Sequence, residues 1–304
     1  MNRSIPSHLS LRRAITILSA LFVVLVGTSL LSVAVGSMGI SFSDLWLTLI
    51  HAEGEQAEVV RTIVLSIRVP RILLAIVVGA GLSVAGAALQ SLLRNPLAEP
   101  YILGISSGGT VGAFLAVTLG LGFTHLLSPF LSFIGSSLVM MLVYSLGHRR
   151  GFLDPNALLL SGVMVGAFFN AVILLAVSVF NQELRTAYLW LLGNLSTASI
   201  ELLTIVGPLI ILASLFLIFQ AKALNLIAMG EETALHLGVE SVKVKRIGYL
   251  LASVITGLSV SVSGVIGFVG LLVPHACRLM FGSDNRIVMP ASLLLGATFL
   301  VVCD

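Results

Sequence analysis

Nine runs of apolar residues, each near the roughly 20 that carry a helix across the hydrocarbon of a bilayer, make up most of the chain: 14–35, 72–93, 101–122, 126–147, 157–180, 200–219, 247–264, 265–281 and 288–302. In lipid every backbone N–H and C=O has to be satisfied within the protein, so these runs must be helices packed on one another. The expected fold is an all-α polytopic membrane protein forming one transmembrane domain over residues 1–304. With 58% hydrophobic and 10% charged residues, the chain lies outside the range of soluble domains. The first run follows Arg3, Arg12 and Arg13 and ends in Ala34-Val35-Gly36, as a cleaved signal would. It is longer than a signal's apolar core of about 7–15 residues, and is read as a retained span.

With the N-terminus in the cytoplasm, twelve of the basic residues fall inside (Arg3, Arg12, Arg13, Arg94, Arg149, Arg150, Lys222, Lys243, Lys245, Arg246, Arg278, Arg286) and four outside (Arg61, Arg68, Arg71, Arg185). That asymmetry sets the orientation, and the net charge of +3 is a topology signal that implies no nucleic acid. Cys277 and Cys303 then lie near opposite faces, and no disulfide is expected.

The longest polar interruption of the second half, residues 222–246, is therefore cytoplasmic. Met229 to Gly238 reads as a short helix with Glu231 and Glu232 in its first turn, where the helix dipole favours anions, and Gly238 at a left-handed C-cap. A second short helix is expected from Ser241 as N-cap, carrying Lys243, Lys245 and Arg246. Two capped helices on a glycine joint make a rigid knob suited to docking, where a tether would need neither cap nor glycine.

On the outer side, Phe42 to Ile50 has the spacing of an interfacial helix with Trp46 as its anchor. Ile67-Arg68-Val69-Pro70-Arg71 then offers two fixed cations at the mouth of the second span, for lipid phosphates or for a protein carboxylate. That span is rich in small residues (Gly79, Ala80, Gly81, Ser83, Ala85, Gly86, Ala87, Ala88) and belongs inside the bundle. Prolines end it at Arg94 to Pro100. The glycine-rich opening Gly104 to Gly109 must sit at a pathway or a packed interface, because irregular backbone is not tolerated against lipid. After the loop 147–156, the fifth span carries Ser161, Met164 and Asn170, which line a solute path or bond a neighbouring helix. Asn181 to Ser199 holds a further short helix with Tyr188, Trp190 and Leu191. Gly257-Leu258-Ser259-Val260 repeats Gly81-Leu82-Ser83-Val84 in the opposite membrane direction, as inverted repeats do. His275 has no second ligand at helical spacing and reads as an interface residue, so no metal site is expected.

No Gly-Lys occurs anywhere, which excludes a phosphate-binding loop. Neither a catalytic constellation nor a charged residue near a span centre is present, which disfavours a membrane-embedded enzyme and a self-sufficient secondary carrier. Energy for uphill movement would then enter from a partner, at the knob.

Four motifs in order resemble the permease subunits of iron-chelate and vitamin B12 ATP-binding-cassette importers, the FecCD type. They are Arg68-Val69-Pro70-Arg71, Arg94 to Pro100 with Leu103-Gly104-Ile105-Ser106, Gly230-Glu231-Glu232 to Leu237-Gly238, and Gly267-Phe268-Val269-Gly270-Leu271-Leu272-Val273-Pro274-His275. The resemblance implies a ten-span fold with an inverted repeat, of which this chain holds about nine spans. It implies pairing with a second copy or a paralogous permease in a bacterial or archaeal cytoplasmic membrane. Segment 222–246 would carry the coupling helices, with Gly230, Glu231, Glu232, Ala234, Leu237 and Gly238 transmitting closure of a separate ATPase subunit, where ATP and magnesium bind. Arg68 and Arg71 would dock an extracytoplasmic substrate-binding protein. Pro155 and Asn156 would form the cytoplasmic gate, with Ser161, Met164 and Asn170 as path lining. The cargo implied is a ferric siderophore or haem, with vitamin B12 as the alternative; Pro155 departs from the small hydroxyl residues of the vitamin B12 member at the gate.

Overall fold

In the computed structural model, residues 11–34, 55–119, 127–149, 152–179, 193–196 and 199–304 are described. The expected interfacial helix at Phe42–Ile50 and the one around Tyr188–Leu191 lie outside them. Apart from a ribbon of two strands, β1 (His148–Arg149) and β2 (Phe152–Leu153), the regular structure is helical. Nine apolar helices account for the nine runs among the described residues. They are α1 (Leu11–Ala34), a continuous rod of α2 (Glu55–Thr62) and α3 (Val69–Leu92), α4 (Ile105–Thr118), α5 (Leu127–Gly147), α6 (Pro155–Val179), α7 (Ile200–Phe219), α10 (Ser241–Ser263), α11 (Val269–Phe281) and α12 (Asn285–Cys303). Between α7 and α10 stand two short helices, α8 (Ala221–Met229) and α9 (Glu231–His236).

Ion pairs sort the helix ends into two faces. Arg71, in the first turn of α3, meets Asp304 after α12. Arg94, just past the end of α3, shares Glu231 with Lys245 in the first turns of α10. So α3 runs from the Arg71 face to the Arg94 face, and α10 and α12 run back. The repeated tetrapeptides consequently lie in oppositely directed helices, and both are buried.

Helix α3 is the axis of the bundle, buried over nearly its whole length from Val78 to Leu92. It packs most extensively on α12, then on α10, α7 and α11. Small residues make this possible. A Cβ on Gly79 would collide with the Gly296 carbonyl oxygen, and one on Gly86 with that of Gly270, so backbones approach with no side chain between them. Gly108 and Gly135 bring α4 and α5 together in the same way. The outermost helix is α1, which buries only Leu25 and Ala34.

Three local expectations are corrected. The second span does not begin at residue 72: the helix starts upstream of Pro70 and passes through a π-helical segment, Ile63–Arg68. Proline has no N–H and crowds the carbonyl four residues back, and a wider turn just before it absorbs both effects. The third span is shorter than residues 101–122, because Pro100–Leu103 form a 3-10 turn and Gly104, at φ +72°, starts the helix only at Ile105. Ser241 is not an N-cap of a separate helix: Glu240 stands at that position, and Ser241 to Arg246 are the opening of the α10 span.

The two short spans, α4 and α11, both follow irregular backbone, and the two irregular stretches meet. Glu99 Oε1 accepts the Phe268 N–H at 2.5 Å and Tyr101 Oη accepts the Ile266 N–H at 3.3 Å. Non-helical backbone is thus satisfied by protein, as the sequence requires of it.

Replacing Gly86 by valine should force α3 and α11 apart and cost at least about 3 kcal/mol, whereas Gly27→Ala, with open space around it, should change stability by less than about 0.5 kcal/mol. Thermal unfolding in detergent checks both.

Candidate functional site

The knob is built from two glycines and one buried stripe. In α8, Ala221, Leu224 and Ile227 face the bundle. Gly230 then takes φ +140°, a conformation closed to other residues, and starts a new helix direction. In α9, Ala234 is fully buried, and Gly238, at φ +79°, closes the helix with the Val239 N–H on the Ala234 carbonyl at 2.9 Å. The left-handed cap expected at Gly238 is present. The short helix partnering α9 lies before it, as α8, and not after it.

The two glutamates differ. Glu231 turns back to the bundle, where it pairs with Lys245 and lies 3.7 Å from Arg94. The Lys245 side chain is only 6% exposed, and Glu231 is the carboxylate it faces. Arg94, in the left-handed region at φ +49°, also donates through Nε to the last-turn Ile227 carbonyl of α8 at 3.1 Å. Glu232 is exposed, and so are Leu235, Leu237 and Met229. Of the six residues expected to couple, Gly230 and Gly238 shape the knob, Glu231 and Ala234 fasten it, and Glu232 and Leu237 present a surface. Sequence reasoning missed Leu235, whose signal was a leucine in a short polar helix with no room to be buried, and Asn225, a lone, half-buried amide beside the buried stripe of α8.

Asn225 contacts the start of α12. Its Nδ2 donates to Asp284 Oδ1 at 2.7 Å, and its Oδ1 accepts the Asn285 N–H at 2.8 Å. Asp284 caps α12 by accepting the Arg286 N–H, and also binds the Arg286 guanidinium. The Arg286 side chain, chiefly, holds the Asp284 carboxyl below its ordinary range. The contribution of that ionised carboxylate is therefore present above about pH 3.9 and is lost only as pH falls lower.

At the opposite face both expected cations are engaged within the chain. Arg68 Nη1 donates to the Val33 and Ala34 carbonyls at the C-terminus of α1, at 2.5 and 3.3 Å. Arg71 forms a bidentate pair with Asp304, at 2.6 and 2.7 Å. Of the two readings left open, lipid phosphate or protein carboxylate, Arg71 holds a protein carboxylate, that of its own chain.

The expected gate sits where β2 meets α6. Asp154 caps α6 by accepting the Asn156 N–H at 2.9 Å, Pro155 occupies the first turn, and the Asn156 side chain is exposed. Ser161 is half-buried and returns its hydroxyl to the Ala157 carbonyl, while Met164 and Asn170 are exposed. Helix α6 buries only Leu158, Gly162, Val165 and Ile173, and leaves Leu160, Val163 and Phe168 uncovered beside Met164. His275 is exposed on α11, near Leu272 and Leu279. Among the described residues no group of three His, Cys, Asp or Glu side chains could hold a metal ion. A cavity of about 470 Å³ between α5, α7 and α10, walled by Phe130, Phe133, Leu202 and Leu258, shares no residue with these positions.

A helical bundle with oppositely directed repeats, small-residue backbone contacts and a polar knob on one face is a multi-pass membrane protein. The chain belongs to the FecCD transport family, whose model matches residues 22–304. It is 40% identical over 247 residues to the cobalamin import system permease protein BtuC of Halobacterium salinarum, covering 81% of this chain and 67% of that protein. It is 37% identical over 292 residues to the hemin transport system permease protein HmuU of Yersinia pestis, covering 94% and 85%. The structure superposes on a solved chain described as an inward-facing metal-chelate type ABC transporter with a TM-score of 0.83 and 28% identity, covering 95% of this chain and 89% of that one.

Removing the Glu231 carboxylate as Glu231→Ala leaves Lys245 buried without its partner and should cost about 2 kcal/mol, Glu231 itself being partly solvated. Glu232→Ala should cost less than about 0.5 kcal/mol. Thermal unfolding of the two variants checks the difference, and exchanging the charges as Glu231→Lys with Lys245→Glu should recover part of the loss.

Proposed function

We propose that this chain is the membrane subunit of an importer that carries an iron chelate, a ferric siderophore or haem, across the cytoplasmic membrane by alternating access. A separate ATPase subunit, with ATP and magnesium, drives the cycle. The observation that carries the reading is the knob: α8 and α9 are fastened to the spans by Glu231, Arg94 and Lys245, yet show Glu232, Leu235 and Leu237 outward. A surface that is both rigid and open suits the cleft of a partner whose closure has to move the spans, which is the role of the coupling helices within 222–246. The knob face is then cytoplasmic and the N-terminus lies on the same side, in keeping with the arginine and lysine distribution.

A second copy, or a paralogous permease, pairs across the central path. The uncovered face of α6 with Met164 and Asn170 supports that placement, and Pro155 and Asn156 close the path at the cytoplasmic end. At the outer face the Arg68–Arg71 pair receives carboxylates of a binding protein. Because Arg71 already holds Asp304, docking there is an exchange of one carboxylate for another, which fixes orientation at little net cost. Nothing in this reading requires a cofactor or metal held by the chain, the metal being cargo. Vitamin B12 is the second reading, favoured by the cobalamin permease among the relatives.

Reconstitution with the partner ATPase and binding protein tests the proposal. Hydrolysis should rise when the binding protein is loaded with hemin or a ferric chelate and stay at its basal rate with cobalamin; the reverse would assign vitamin B12, and no complex with any ATPase would overturn the importer. Glu232→Lys should weaken ATPase association about 5-fold or more without unfolding the permease. Arg71→Ala should weaken binding-protein docking and flatten its salt dependence.

A further inference from the structure

We propose that Asn225 is the positioning residue through which movement of the α8–α9 knob reaches the transmembrane bundle, by its clasp on Asp284 and Asn285 at the start of α12. The inference rests on the reading of the knob as the ATPase-docking element.

Three features of the clasp set it apart from an ordinary interhelical bond. Both ends of the Asn225 amide are used, Nδ2 toward Asp284 and Oδ1 toward the Asn285 N–H, so α8 cannot turn about its axis without breaking one of them. The grip is on the cap of α12, not its side, and displacement is delivered along the helix that packs most extensively on the central α3. Finally, Asn285 passes the contact on. Its side chain is buried, and its Oδ1 accepts from Ser91 Oγ of α3 at 3.1 Å and from Arg278 Nη1 of α11 at 3.2 Å. The Arg278 guanidinium in turn reaches the Ala87 carbonyl and Ser91 Oγ of α3 at 3.2 and 3.0 Å. The ends of α3, α11 and α12 are therefore gathered in one hydrogen-bonded cluster, and Asn225 is the α8 side chain that enters it.

The Arg94–Glu231–Lys245 triad fastens the start of α9, at the joint of the knob, to α10 and to the exit of α3. With α8 held at the clasp and the first residue of α9 held at the triad, a push on the exposed surface of Glu232, Leu235 and Leu237 beyond them tilts the knob and loads α12. Apolar contact alone would let α8 slide along the stripe of Ala221, Leu224 and Ile227. A reciprocal amide pair has a fixed length and direction, and passes displacement instead.

The experiment uses the complete permease reconstituted with its ATPase and binding protein. ATP hydrolysis is recorded without binding protein and with binding protein loaded with hemin, ferric citrate or cobalamin, whichever stimulates the unaltered complex. Asn225→Leu removes both bonds and keeps the bulk. It should leave complex formation, thermal stability within a few degrees and basal hydrolysis intact, while stimulation falls by about tenfold. The exchanged pair, Asn225→Asp with Asp284→Asn, restores an amide donor opposite a carboxylate and keeps a capping residue on α12, and should recover stimulation. Full stimulation in Asn225→Leu overturns the proposal, and so does failure of the exchanged pair to recover it. Failure of the docking reading looks different: the unaltered permease then forms no complex with the ATPase or shows no stimulation, which overturns the clasp's role along with it.

Discussion

The close approach of helix backbones at glycine is the constraint on which this bundle depends. Inside a bilayer the lipid is as apolar as leucine, so burying leucine gives little reason for helices to associate, and contact between surfaces that fit is what remains. Gly79 against Gly296 and Gly86 against Gly270 supply that fit on two sides of α3. Because α3 is enclosed, α10, α11 and α12 can be read as a jacket around it, and the polar cluster of Arg278, Ser91 and Asn285 closes the jacket at the knob face. That cluster would be untenable at mid-membrane. At a helix end its guanidinium and amide are satisfied by side chains and carbonyls of three helices.

Much of this was legible in the residues. Long apolar runs leave no choice of secondary structure, and small residues crowded into one run single out the helix at the centre. Gly238 announced a left-handed cap because few other residues tolerate one, and the cap is there. The directions of side chains on short helices were not legible. Glu231 and Glu232 are adjacent and alike in sequence, yet one is fastened to Lys245 and the other faces solvent, because α9 has one buried position, Ala234, and that position fixes its rotation. Nor could the sequence show that Arg94, 137 positions before Glu231, would turn into the same ion pair. Contacts at such separation depend on the whole bundle, and only local pattern is written locally. The π-helical segment before Pro70 belongs to the same class: proline signals a disturbance, while the backbone around it decides whether the chain kinks, starts or widens.

The arginine pair shows the limit of reading a motif as an isolated site. Two cations at the mouth of a span suggest a partner outside the chain. Here one caps α1 and the other holds Asp304, so both do structural work before any partner arrives. The Arg71 face is tied by one ion pair and by the Arg68 bonds to the end of α1, and the knob face by a hydrogen-bonded cluster.

The pairing of Gly79 with Gly296 also orders events during synthesis. Helix α3 enters the membrane long before α12 exists, and at roughly 5–20 residues per second the ribosome needs on the order of 10–40 s to supply the missing surface. Through that interval the Gly79 face of α3 has no match. A helix of glycine, alanine and serine attracts lipid weakly and attracts other small-residue helices well, so the nascent chain is at its most promiscuous when half made. Arrival of α12 ends that interval by covering the Gly79 face of α3.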